Sequence, residues 1–395
     1  SNIAIVPNGT GAIVASIPDG TATGGNARGN NAVDLQTLRS NANEVAASNN
    51  SFIGGGWNNK ITGGNYGGIV SGRSNTLGSN AWYTFIGAGM NNSISGSSVD
   101  YSVIAGGNTN TISSQHSVIS GGQSNTASTN THATVVGGQS NTSSGGYSVS
   151  GGQSNTASGN YSVVLGYNNV GNNTGSVSLG YGNTVSGNTS MAGPRACTAS
   201  NEGTVALGFA SQATGGRSYA FGSGAIASGS YSVALGGSNE AYNNGMITEY
   251  AGDAFTTAGD IQRSIVTQRY VGDFSTGGTA LLEIITGGSP SALTPKGNNR
   301  AWNVQVNWVA IVTSITGTAT GISVGDVITS IDLLAFKKIA GISSASAHTS
   351  AATKTMVTTP AQYAGCQITY SAGTGQRIAL TSVSYTHLTL PTILL

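Results

Sequence analysis

From Ser51 to Asn244 short apolar runs alternate with stretches of Gly, Asn, Ser and Thr, in phrases of the form aromatic, small, apolar, any, apolar, Gly. The phrases start at Ser51, Tyr66, Tyr83, Tyr101, His116, His132, Tyr147, Tyr161, Gly175, Thr189, Gly203, Arg217 and Tyr231, about 15 residues apart. Self-similarity at a short fixed period predicts a solenoid. In YSVVLGYNNVGNNTG, Val163 and Leu165 alternate with Ser162 and Val164. That alternation predicts a short strand with Val163 and Leu165 facing the core, joined there by Val103, Val118, Val177, Leu179, Val205, Leu207, Val233 and Leu235. The Gly-Asn remainder predicts turns, where Gly takes φ > 0 at no steric cost. Fifteen residues at about 3.3 Å each make a loop of roughly 50 Å, enough for two short strands and two tight turns.

Each coil holds about three or four apolar side chains, too few to stand alone, so the coils must stack in register. At a spacing of about 4.8 Å, about 13 coils make a rod about 60 Å long. Asn75, Asn110, Asn125, Asn141 and Asn155 share one repeat position, the Asn of an SNT or TNT phrase, which predicts a ladder of stacked amides.

Charge sharpens the picture. Between Ser74 and Pro194 the one acidic or basic residue is Asp100. Like charges one coil apart would repel, so uncharged columns suit a stacked rod, and a charge-free surface suits burial against sister subunits. A thin roll with this much small-residue surface is expected in an oligomer. Charged residues are 7% of the 395, against a typical value of roughly 25%, and Gly fills 61 positions. A 38% apolar share at a net charge of +1 favours ordered β-structure over disorder. Near-neutrality leaves no electrostatic footprint for nucleic acid, and no apolar run approaches the roughly 20 residues that span a bilayer. Neither nucleic-acid binding nor membrane insertion is expected. Cys197 and Cys366 lie in different parts of the chain, which disfavours a disulfide framework. The opening SNIAIVPNGTG, with neither an initiator Met nor a secretion signal, reads as a fragment or a processed product.

After Asn244 the period stops and charge returns. QRSIVTQRYVGDF, TALLEIIT, AWNVQVNWVAIVTSIT, DVITSIDLLAFKKIAG and CQITYSAG read as longer strands, with Val304, Val306, Trp308 and Ala310 on one face. An antiparallel β-sandwich is expected over 245–382. The stretch Val383 to Thr392 resembles the translation of a sequencing-library adapter, which implies that 383–395 are not native; the alternative is an ordinary final strand, and on either reading His387 carries no functional argument.

The phrases YSVVLG, GSVSLG, GTVALG and YSVALG, followed by turns such as SQATGG and AIASGS, resemble the head repeat of trimeric autotransporter adhesins of the YadA-like kind. The resemblance covers about half the chain, and the GGQSNT copies depart from it, with Gln-Ser-Asn where Ala is usual. It implies a left-handed parallel β-roll associated as a homotrimer. The segment Asn2 to Ser48 resembles the lead-in that precedes such repeats in bacteriophage tail fibre proteins. Together these imply an all-β chain: a lead-in or capping segment over 1–50, a β-roll shaft over 51–244, and a C-terminal knob over 245–382. The implied function is structure and host attachment within a virion tail fibre, outside the cell, through trimeric avidity. The implied partners are sister chains, a host cell-surface glycan or protein, and other tail or baseplate proteins. The alternative is the head of a bacterial trimeric surface adhesin. A glycan-cleaving tailspike is a third reading.

Candidate chemistry is sparse. Glycoside hydrolysis uses two carboxylates roughly 5 to 9.5 Å apart, and the candidates are Glu240, Glu249, Asp253, Asp260, Asp273, Glu283, Asp326 and Asp332. Surface or turn roles are favoured for them, so no enzyme and no cofactor is expected. His116 and His132 share one repeat position, but two His without a neighbouring Cys or carboxylate make a poor metal site. That position is Tyr in Tyr101, Tyr147 and Tyr161, which favours packing at a corner; the alternative is a platform on which glycan rings stack. Thr111, Thr126, Thr142 and Thr156 also recur in register without a second Thr at fixed spacing, the weaker half of an ice-binding pattern. The N-x-S/T triplets and GxG pairs carry no argument, being expected by chance in Asn, Ser, Thr and Gly-rich sequence.

Overall fold

The repeated phrases stack as a parallel β-solenoid of about 14 coils in the computed structural model, with no helix among the described residues. Those residues are 9–242 and 244–249; from Tyr250 onward only the backbone of strands is described. Each coil carries two strands. The longer ones, such as Val149–Gln153, Val163–Tyr167 and Val177–Tyr181, form one parallel sheet in strict register, Val163 beside Val177 and Leu165 beside Leu179. The shorter ones, such as Thr142–Ser143, Thr156–Ala157 and Val170–Gly171, form the second sheet. Two further strands, Ile13–Val14 and Val33–Asp34, continue the first sheet in parallel ahead of Phe52–Ile53.

The strand phase is the reverse of the one expected. Val164 is fully buried, whereas Val163 and Leu165 are half-buried on the outer face. The same holds for Ile104, Ile119, Ser178, Ala206 and Ala234, which lie inside while Val103, Val177, Leu179, Val205, Leu207 and Val233 lie outside, with Val118 and Leu235 each 37% exposed. The reason is the thickness of the roll. Its two sheets are so close that each strand of a coil contributes one inward side chain. Where the first strand supplies Val164, the second supplies Gly171, and a Cβ on Gly171 would meet Val164 Cγ2 at 2.7 Å. Alternation fixes that two faces exist, and interior width decides which is buried.

The interior also narrows along the stack. Coils near the N-terminus bury pairs such as Ile53 with Ile61 and Ile104 with Ile112; later coils bury Ala199, Ala206 and Ala213. Through this interior runs the asparagine ladder. Asn141 donates from Nδ2 to Asn125 Oδ1 (3.1 Å) and Gly152 O (2.7 Å), and Asn155 donates to Asn141 Oδ1 (3.0 Å). The ladder includes Asn75, Asn110, Asn125, Asn141 and Asn155, and also Asn59, Asn92, Asn169 and Asn183. Gly166 shows why glycine flanks it. At φ 121°, its carbonyl accepts from Asn155 Nδ2 (2.6 Å), and any Cβ would strike the Gly180 carbonyl of the next coil.

The N-terminal end is closed by charge. Asp34, fully buried, pairs with Arg28 (2.8 Å) and Arg39 (3.5 Å), and Gln36 Oε1 accepts the Asn59 N–H (2.8 Å) to cap the ladder. Farther along the chain, Arg300–Ile311 pairs antiparallel with Val327–Lys338, placing Val304 opposite Leu334 and Trp308 opposite Ser330. Gln367–Gly373 pairs antiparallel with Arg377–Val383. The expected packing of such pairs as a sandwich lies outside the described residues.

Candidate functional site

Three columns mark the surface of the roll. The first is aromatic. Tyr66, Tyr83, Tyr101, His116, His132, Tyr147 and Tyr161 stack in sequence, with ring centroids 4.5 to 5.3 Å apart and planes within 16° of parallel. Each enters a first-sheet strand through a left-handed corner, φ 53° to 65°, a conformation that costs a bulky residue energy. Stacking offsets that cost, at ~0.5–1.5 kcal/mol per pair.

This geometry agrees with the favoured corner-packing role and leaves little of the alternative, a glycan platform along the whole column. Tyr101, His116, His132 and Tyr147 have a ring on each side, so their faces are covered and they show edges to solvent. A sugar needs a free face. The His116 and His132 rings lie 4.8 Å apart and nearly parallel, so their in-plane nitrogen lone pairs do not converge on a shared metal position. Among the described residues no group of three or more His, Cys, Asp or Glu stands close enough to hold a metal ion.

The second column is the last residue of the longer strands: Gln139, Gln153, Tyr167, Tyr181, Arg195 and Phe209, in register. Tyr167 stacks on Tyr181 at 5.0 Å, and the Arg195 guanidinium lies 5.5 Å from the Tyr181 ring and 5.2 Å from the Phe209 ring. Sequence reasoning passed over this column. Its signal was the residue after the terminal Gly, or after Pro194, in LGY, LGY, GPR and LGF, spaced 14 residues apart.

The third is the apolar outer face of the first sheet. Phe52, Phe85, Val118 and Tyr219 are 37–41% exposed and share the register position of Val163, Val177 and Val205. Two residues on, Val136, Leu165, Leu179, Leu207 and Leu235 continue the face. On the second sheet, Thr111, Thr126, Thr142 and Thr156 also stand in register, with Ser113, Ser128, Ser144 and Ser158 two residues along each turn.

Titratable groups gather at the N-terminal cap rather than in a cleft. Burial pulls the Arg39 guanidinium below its ordinary pKa, with the Asp34 charge opposing. Burial raises Glu44, but N–H donors from Asn41 and Ser40 and the nearby Lys60 charge outweigh it and hold the carboxyl below its usual range. Asp19 is held low as well, chiefly by the Thr21 N–H. Of the candidate carboxylates, Glu240 is buried in the second sheet and Glu249 is exposed in the strand Met246–Tyr250. The side chains of Asp253, Asp260, Asp273, Glu283, Asp326 and Asp332 lie outside the described residues.

Residues 143–169, 199–218 and 213–239 match the family model of the YadA head domain repeat (2 copies). No curated protein matches the chain. Those segments include the coils that carry Val163, Val205 and Val233 on their outer face, so these coils are similar to the repeat of an adhesin-type head.

Proposed function

We propose that this chain is a non-catalytic attachment segment: a homotrimer of left-handed rolls that displays its surface, and the strands beyond Tyr250, to a host cell. The carrying observation is the outward column of Val163, Val177, Val205, Leu165, Leu179 and Leu207 on the outer face of the first sheet. Large apolar side chains in register on the outside of a roll gain by being covered, at roughly 25 cal/mol per Å² removed from water. Two sister chains bearing the same columns are the natural cover, because coils of equal rise keep identical faces in phase along the rod.

Trimerisation then supplies the mechanism of attachment. Three weak contacts on one stiff rod act at high effective concentration, so overall avidity exceeds each affinity by about 10²–10⁴. The lead-in resemblance of Asn2 to Ser48 favours the tail fibre of a bacteriophage as the bearer. The matched head repeats support a bacterial surface adhesin equally well. Sedimentation velocity on the full chain at micromolar concentration is expected to give a trimer, and a monomer overturns the proposal. Labelled protein that binds bacterial cells favours the fibre, binding to animal epithelial cells favours the adhesin, and binding to neither removes the attachment role.

A further inference from the structure

The aromatic column ends in an unfilled rung. Backbone bonds carry the column onward from Tyr161: Gly175 N donates to Asn160 O (2.8 Å) and Thr189 N to Thr174 O (2.8 Å), as Tyr161 N donates to Gly146 O (2.8 Å). Gly175 therefore occupies the position of the next ring, at φ 66° beside 57° for both Tyr147 and Tyr161, and brings no side chain. Tyr161 stacks on Tyr147 at 5.3 Å through one face. Its other face looks along the stack over Gly175 toward Thr189. At 61% it is the most exposed of the tyrosines in this column, the others lying between 49% and 53%. At the opposite end of the column the rung before Tyr66 is filled by Asn50.

Two coil steps separate Tyr161 from Thr189, about 10 Å at about 4.8 Å per coil, which is one ring at stacking distance with a neighbour on each side. The ligand this slot suits is neutral, since no Asp, Glu, Lys or Arg occurs between Asp100 and Arg195. It also suits a molecule with one apolar face and a polar edge, because the hydroxyls of Thr174 and Thr189 lie on the Gly175 side of the ring. Thr174 is exposed, and Thr189 Oγ1 donates to Asn188 O and retains acceptor capacity; the Asn160 amide turns the other way, accepting the Gly146 N–H through Oδ1. A β-linked pyranose has this character, with axial C–H groups on a face and hydroxyls around the rim.

We propose that Tyr161 and Gly175 form a pyranose subsite in which a β-linked hexose of a surface glycan takes the vacant rung. This rests on the attachment reading and deepens it by naming the class of receptor. Each subsite is weak, and a trimer presents three of them.

The test uses the full chain with lactose and N,N′-diacetylchitobiose as probes, read by saturation-transfer NMR. Wild type is expected to show transfer to the C–H face of at least one probe. Tyr161→Ala and Gly175→Tyr are each expected to weaken binding about tenfold, the first by removing the platform and the second by filling the slot. Tyr101→Ala, an inner rung with covered faces, is expected to bind like wild type. Gly175→Tyr is also expected to melt at or above the wild-type temperature, because it completes the stack in a backbone conformation its neighbours already hold. No transfer in wild type, or undiminished transfer in folded Gly175→Tyr, overturns the subsite. Cell binding separates the two readings: Gly175→Tyr that attaches to cells normally removes the glycan subsite and leaves attachment standing, whereas sugar transfer without cell binding by wild type removes attachment.

Discussion

At the scale of single residues, the roll is held by polar groups buried in register. Asn141 is fully buried and takes part in bonds both up and down the stack, accepting from Asn155 through Oδ1 and donating to Asn125, Gly137 and Gly152 through Nδ2. Truncating it strands several of these groups without water to replace the lost partner, at about 1–3 kcal/mol for each one left unsatisfied. Asn141→Ala is therefore expected to lower unfolding stability by at least about 3 kcal/mol in urea titration. Cys197 gives the converse case. It sits on the next rung after Asn183, with Sγ 3.2 Å from Gly193 O and 3.1 Å from Gly208 O, the carbonyl positions that an Asn amide meets elsewhere in the ladder. Cys197→Asn is expected to extend the ladder and leave the melting temperature equal or higher. The ladder was legible in the sequence because a polar residue at a fixed period, flanked by Gly, has few other places to be. The covering of one aromatic ring by the next was not, since it depends on the left-handed corner angle.

At the scale of elements, each longer strand has two faces of different consequence. Val164 and Leu165 are neighbours in one strand, the first fully buried and the second on the outer face. Val164→Asp is expected to abolish folding, because it places an unpaired carboxylate in an interior with room for one side chain. Leu165→Asp is expected to keep the far-UV β-signal and to sediment as a monomer. An equal trimer fraction in Leu165→Asp would show that the outer face is not the interface. The capping element is governed by charge. Asp34 neutralises Arg28 and Arg39 at buried positions, so Asp34→Asn leaves two guanidinium groups short of a counter-charge and is expected to cost about 3–5 kcal/mol. Asp19 and Glu44 have folded pKa values below their ordinary ones. They therefore stabilise the folded cap at neutral pH, and that contribution is withdrawn as pH falls through the lowered values. Hydrogen exchange is expected to show the first coils losing protection in acid before the coils around Val164, and uniform loss along the rod would contradict this.

At the scale of the whole molecule, the sequence by itself determined the solenoid, its all-β character, its approximate coil number and the Asn ladder. A period of about 15 residues, with each coil too poor in apolar residues to stand alone, has stacking as its physical solution. It also carried the similarity of the coils around Val163, Val205 and Val233 to the YadA head domain repeat. It could not determine which strand face is inside. Val163 and Val164 are the same residue type on opposite faces of one strand, and the pattern SVVLG reads equally well in either phase. Only the tertiary structure decided that, through the separation of two sheets close enough for Gly171 to sit directly under Val164. The decision moved Val163, Leu165 and their counterparts from core to surface, where they become an interface to be covered. It likewise set the Tyr and His column, placed at a corner by its period, into a stack with one open end, at Tyr161. Periodicity is a property of the chain; which side of a strand meets another sheet, and which face of a ring meets another ring, are properties of distance between elements.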